Sequence, residues 1–323
     1  MQADQRWIWR ESGGLELAVG WCRQGDIDTS HPADTPAVVL IHGFGANTNH
    51  WRHTAPALSP HTPTFALDLI GFGTSSQPRA LLAGESGEGL RYGFDLWGHQ
   101  VASFCRERVQ RPVLLVGNSI GAVVALRAAQ LLQADQGSSP CKGLVLIDCA
   151  QRLMDDKQLA TQPAWMAWLR PWLKTLVSQR WLSTVLFRNA ARPAVIRSVL
   201  RQAYPSGDNI DDELVRLLHG PTQREGSAEA FRGFINLFDD YLAPDLIQTL
   251  SIPIDLIWGG DDPWEPVAEA ERWADTMTAI RSLHVIGGKG HCPHDEAPDL
   301  VNPLLLQALT RCTEAMTSIQ QAT

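Results

Sequence analysis

The sequence predicts an α/β protein: a doubly wound, mostly parallel sheet with a helical cap inserted before its last strands. Three observations carry this. Short continuous apolar runs bounded by turn-forming or polar residues recur along the chain and read as strands buried on both faces. Helical patterns fall between them. From Cys149 to Pro253 the alternation stops and the pattern becomes almost entirely helical.

The elements follow in order. RWIWR and LELAVGW (residues 15–21), separated by Gly13-Gly14, alternate apolar with small or polar residues as a hairpin does. PAVVLIHG is the first buried run. TFALDL (64–69), PVLLVG (112–117), GLVLID (143–148), IDLIWG (254–259) and SLHVIG (282–287) share its character. Trp97, Val101, Phe104 and Cys105 form a stripe at helical spacing, with Asp95 placed to cap the helix. Residues 120–132 are rich in Ala and Leu, and a helix over 298–312 closes the chain. In the interrupted region, breaks are expected at Pro163, Pro171, Pro193, Pro205, Gly220-Pro221 and Pro244. AGESGEG (83–89) reads as a mobile loop. Residues 1–150 and 251–323 therefore form the expected core, and 151–250 the cap.

With 323 residues, 44% of them hydrophobic and 19% charged, the chain has ample material for a core. A net charge of -8 argues against general nucleic-acid binding, which needs a basic face. Cys22, Cys105, Cys141, Cys149, Cys292 and Cys312 are scattered without CxxC spacing and read as reduced thiols of a cytosolic protein. The start, MQADQRWIWRESGG, is too polar for a signal peptide, and no apolar run reaches the ~18 residues of a membrane span. A cytoplasmic protein, soluble or at most peripheral to an internal membrane, is expected. Nothing in the sequence bears on oligomeric state.

The stretch VGNSIGAVVALRAA (116–129) places a serine between two glycines, after a strand and before a helix. Glycines at 117 and 121 relieve the collision of strand and helix, so Ser119 can occupy a strained corner with its hydroxyl exposed. A serine hydroxyl is a weak nucleophile and needs a base, and the base needs an orienting acid. The segment GGDDPWEP follows a later strand and offers Asp261 and Asp262. GKGHCPHDE follows the next and offers His291 and His294. His291-Cys292-Pro293-His294 contains metal-ligand types, but a proline-containing loop with no second ligand pair argues against a metal site.

HGFG, GNSIG, WGGDDPWEP and GKGHCPHDE, in this order and spacing, resemble the α/β-hydrolase superfamily over nearly the whole chain. The resemblance implies that fold, with Asp262 in the fourth position of a GxxDxxxP pattern as the acid and His291 after Gly290 as the base. It also implies an oxyanion hole formed by the backbone N–H groups of Phe44 and Ile120, and a structural His42 with its ring bonded within its own loop. The reaction implied is acyl transfer through Ser119, which requires no cofactor and no metal. An aspartate in place of Ser119 would have indicated dehalogenation instead.

Within the superfamily, GNSIG, FDLWGHQV (94–101), WGGDDPWEP and GHCPHDEAPDLVN resemble the pheophytinase and chlorophyll dephytylase branch, apart from Ala122, where that branch usually has glycine. This implies a bulky hydrophobic ester, in the sharpest form the phytyl ester of chlorophyll or pheophytin. Trp165, Trp168, Leu169, Trp172, Leu173 and Leu176 share one helical face, and Trp165, Trp168 and Trp172 are expected to contact the substrate. From Lys157 to Arg201 there are eight Lys or Arg residues and no Asp or Glu. Two readings of this segment stand at this point: the tryptophans pack the cap onto the sheet, or the basic face rests on an anionic membrane. A general carboxylesterase, a carbon–carbon bond hydrolase, a cofactor-free oxygenase and a catalytically silent binding protein are the alternatives for function.

Overall fold

The structure is a computed structural model and describes residues 3–25, 35–134, 140–152, 155–161 and 164–322. Eight strands form one sheet in the order β1-β2-β4-β3-β5-β6-β7-β8. β1 (Gln5–Arg10) and β2 (Glu16–Gln24) are the expected hairpin, and β2 also pairs antiparallel with β4 (Thr64–Leu67). β3 (Ala37–Ile41), β4, β5 (Val113–Asn118), β6 (Cys141–Ile147), β7 (Ile254–Gly259) and β8 (Ile280–Ile286) run parallel. The central runs are buried along their full length because helices cover both faces. SLHVIG differs from that expectation: β8 is an edge strand and only partly buried.

Alternation along the strands divides the core between two faces. Val39 and Ile41 pack with α1 (Phe94–Phe104) and α2 (Ile120–Gln133), while Val38 and Leu40 pack with α9 (Pro298–Ala322). α8 (Val267–Thr276) joins the first face through Ala270 and Trp273. Asp95 does not cap α1. The cap position is Gly93, and Asp95 sits in the first turn, where Arg127 of α2 binds its carboxylate at 2.6 Å. There it favours the positive end of the helix dipole and links two helices.

Between β6 and β7 lie α3 (Ala164–Ser178), α4 (Arg180–Ala190), α5 (Pro193–Ala203), α6 (Asp212–Thr222) and α7 (Ser227–Ile235). Two expected breaks are absent: α3 runs through Pro171, and α6 through Pro221. Proline removes one backbone donor and crowds the preceding turn, a cost of ~3 kcal/mol in a helix interior. Pro221 is the second-last residue of its helix, where little helix remains to disrupt. Pro193 begins α5, a position that needs no intrahelical N–H. The loop at 83–89 is tied down rather than loose, because Arg180 of α4 binds Glu85 at 2.5 Å. All six cysteines are free and buried. Among the described residues, no helix is long and apolar enough to cross a membrane.

Candidate active site

Parallel strands bring their carboxyl ends to one edge, so residues distant in sequence meet there. His42 and Phe44 follow β3, Ser119 follows β5, Asp148 follows β6, Asp262 lies beyond β7 and His291 beyond β8.

Ser119 has φ 56° and ψ -122°, in the left-handed region that costs a non-glycine residue ~1–3 kcal/mol. Surrounding hydrogen bonds hold it there. Its N–H donates to Ile147 O at 2.9 Å, and its carbonyl accepts from Ala122 and Ala150 at 3.0 and 3.2 Å. Gly121 is required by close approach, since a Cβ there would overlap the carbonyl oxygens of Ile41 and His42. Asn118 reaches across to the loop after β8: its Nδ2 donates to His291 O at 3.0 Å. The strand that presents the serine thus also positions the histidine loop.

His291 Nδ1 lies 2.8 Å from Asp262 Oδ2, with the carboxylate's other oxygen accepting from the N–H groups of Trp264 and Glu265. Burial opposes ionisation of Asp262, but the hydrogen bond and charge of His291, helped by the Trp264 N–H, outweigh it and hold the carboxyl below its usual range. The Trp264 ring packs edge-on against the His291 ring, with centroids 4.8 Å apart. Asp261, the neighbouring carboxylate, is exposed, and its N–H donates to Lys289 O at 2.8 Å. Of the pair, it is Asp262 whose carboxylate meets the imidazole.

Asp148 adds a second carboxyl that sequence reasoning left unassigned. It is fully buried, accepts from Gly259 N–H at 2.8 Å, and lies with its ligand atoms within 4.8 Å of those of Asp262 and His291. Burial, reinforced by the Asp262 charge, pushes its carboxyl well above the usual range, so it is held protonated. These three residues are also of metal-ligand type. His291 Nδ1 is already bonded to the Asp262 carboxylate, so that pair is set up for proton handling by the imidazole. His294 is buried against Trp51 and His50, away from this pair.

Ser119, His291, Phe44 and Ile120 line one cavity of about 560 Å³. Among the described residues, the amide N–H groups of Phe44 and Ile120 have no acceptor. His42 explains why the Phe44 loop holds its shape. Its buried ring is bonded at Nδ1 to Gly43 O (2.8 Å), and at Nε2 it accepts from Leu69 N–H (3.0 Å). Burial pushes the His42 pKa down, which suits a neutral ring with one donor and one acceptor nitrogen. The cavity wall is largely aromatic. Phe44 stacks on Phe234 at 4.2 Å, with Phe72 and Phe231 beside it. Glu265 also lines the cavity; burial raises its pKa to about 8.

Trp165, Trp168 and Trp172 do not line this cavity. They stand on α3 with their side chains exposed, because α3 turns its opposite side toward the protein. The Leu169 side chain, from the same expected stripe, lies outside what the structure describes. Sequence reasoning missed Asn118, Asp148, Trp264, Glu265 and the Phe231/Phe234 pair. The one available signal was that Asp148 ends a buried strand at the same sheet edge as Ser119 and Asp262.

Residues 38–304 match the Alpha/beta hydrolase family. The chain is 26% identical over 309 residues to a chloroplastic pheophytinase of Arabidopsis thaliana, covering 84% of this chain and 60% of that protein's length. Among solved structures it resembles a thermophilic esterase from Thermogutta terrifontis (TM-score 0.68, 21% identity, 96% and 99% coverage). It also resembles a meta-cleavage product hydrolase from Pseudomonas fluorescens (TM-score 0.66, 20% identity, 91% and 95% coverage). With the family pattern spanning the parallel strands, the serine corner and the loops that carry Asp262 and His291, the chain belongs to the α/β-hydrolase family.

Proposed function

We propose that this hydrolase is a serine esterase that cleaves a bulky hydrophobic carboxylic ester through an acyl-enzyme. The observation that carries the reading is the strained Ser119 corner sharing one apolar cavity with an imidazole already bonded to a carboxylate at 2.8 Å. Ser119 Oγ attacks the ester carbonyl while His291 Nε2 takes its proton. Asp262, bonded to Nδ1–H, holds the ring in the required tautomer and stabilises the imidazolium. The Phe44 and Ile120 N–H groups, which have no acceptor among the described residues, receive the developing oxyanion. His291 then protonates the leaving alcohol, and water releases the acid by the reverse sequence.

The helices between β6 and β7 act as a cap, and the aromatic wall selects a large apolar group. The likeness to a pheophytinase supports a phytyl ester as the specific substrate class. The test is incubation of chlorophyll and pheophytin with wild type and Ser119→Ala, with products separated by chromatography. Phytol release by wild type alone supports the full reading. Turnover of nitrophenyl esters without phytol release restricts it to a general carboxylesterase. Absence of both, together with no fluorophosphonate labelling of Ser119, overturns it.

A further inference from the structure

An amphipathic helix on a globular protein normally buries its apolar stripe and exposes its charges. α3 is oriented the other way. Arg170 is buried, its Nε 2.7 Å from Asp156 Oδ1, and Lys174 Nζ binds the same carboxylate at 2.6 Å. Both cations also lie over the Phe238 ring, at 5.5 and 5.0 Å. The outward stripe is Trp165, Trp168, Trp172 and Leu176, with the three tryptophans 60, 72 and 70% exposed. α4 extends the face with Trp181, 66% exposed, and Val185. An uncovered face of this kind marks a contact surface.

We propose that the outer face of α3 and α4 docks on the surface of an anionic lipid bilayer. Charge selects this occupant. The chain is acidic overall, yet Lys157 through Arg201 carries eight basic residues and no acidic one. Five of the eight are engaged by carboxylates of the protein: Lys157, Arg170, Lys174, Arg180 and Arg197. Arg188, Arg192 and Arg201 are exposed and, among the described residues, take part in no ion pair. Arg188 follows Trp181 and Val185 at helical spacing on α4, Arg192 follows the end of that helix and Arg201 lies on α5. Exposed cations and four exposed indole rings in one helical segment match the interfacial region of an anionic membrane, where indole sits at headgroup depth. A twofold contact with a second copy of this chain would set the same cations near one another.

A helix that carries the docked face also lines the cavity. α4 carries Trp181 and Val185 outward, and its Phe187 and Ala190 form part of the cavity wall. An apolar ester dissolved in the bilayer could then pass behind α4 without crossing water. This last step rests on the ester reading above, whereas docking itself does not.

The test uses the full chain with vesicles of phosphatidylcholine alone and of phosphatidylcholine mixed with phosphatidylglycerol. Co-sedimentation with the mixed vesicles should be about tenfold stronger, weaken at high salt, and come with a blue shift of tryptophan emission. The double variant Trp168→Ser/Trp181→Ser should lose about tenfold in binding while keeping its circular dichroism and its turnover of a water-soluble nitrophenyl ester. Arg188→Glu/Arg192→Glu should lose the preference for anionic vesicles. The proposal is overturned if wild type sediments with neither vesicle, or if the tryptophan variant binds as well as wild type. It is equally overturned by a concentration-dependent dimer that this variant abolishes. Ester turnover in lipid-free buffer, read on the same preparations, reports separately on the ester reading.

Discussion

Asp148 and Asp262 are two carboxyls close together in a dry corner, and their surroundings push them in opposite directions. Asp262 is held ionised by His291, and the Asp148 carboxyl is held protonated by burial beside that charge. A protonated aspartate and a neutral asparagine have nearly the same shape and both offer a donor. Asp148→Asn should therefore keep kcat within a fewfold of wild type at neutral pH. Asp148→Ala leaves the Gly259 N–H without its acceptor and should cost ~1–3 kcal/mol of stability, read as a lower urea midpoint. By contrast, Asp262→Asn should lower kcat by about 10⁴-fold, because the imidazole would be held in the wrong tautomer. Equal losses in the two asparagine variants would refute this division of roles. Glu265 gives a pH signature. Burial raises its pKa from an ordinary 4.5 to about 8, so between these values the folded chain holds a proton that the unfolded chain releases. The group's contribution to stability therefore falls as pH rises through that window and levels off above about 8. Urea midpoints of wild type and Glu265→Gln, compared at several pH values, should diverge in favour of the variant as pH rises.

The elements that place these residues were the most legible part of the sequence, because a strand buried on both faces and ending in a tight turn leaves a strong pattern. The runs ending before His42, Ser119, Asp148 and Gly260 all became neighbouring parallel strands. The pattern failed where burial was read from periodicity alone. Trp165, Trp168 and Trp172 repeat at helical spacing whether the stripe faces inward or outward. The deciding partner of α3 is Asp156 on a separate segment, which pulls Arg170 and Lys174 inward. Asp95 misled for a local reason, since the chain turns two residues earlier, at Gly93, and leaves the aspartate free to bind Arg127. Among the glycines, the tightest approach to backbone is at the end of β7. A Cβ on Gly259 would overlap the Gly290 carbonyl, where the β7 loop crosses the loop that presents His291. Gly259→Ala must separate the two loops that hold the Asp262–His291 bond. It should destabilise the fold by ~1–3 kcal/mol and lower kcat more than KM, measured by thermal unfolding and steady-state kinetics.

At the scale of the whole molecule, the sheet supplies one wall of the cavity and the helices between β6 and β7 supply the other. On the esterase reading proposed above, chemistry and selectivity are carried by different parts of the chain. Ser119, Asp262 and His291 sit on sheet loops, whereas Phe187, Ala191, Leu200, Phe231 and Phe234 come from the helical segment. Changes to the helical wall should consequently alter which ester is accepted without altering how it is cleaved. Ala191 is a sharp place to test this, being a small buried residue at the junction of α4 and α5 that faces the cavity. Ala191→Phe projects a ring into the space available to a long apolar group and leaves the serine corner untouched. For a long-chain nitrophenyl ester, kcat/KM should fall by about tenfold or more, while the acetate ester stays within about twofold of wild type. Overpacking could lower thermal stability by ~1–3 kcal/mol, so both esters are measured well below the unfolding transition. Equal losses for the two esters would mean that the helical wall supports the reacting groups themselves, and the separation of cleavage from selection would fail.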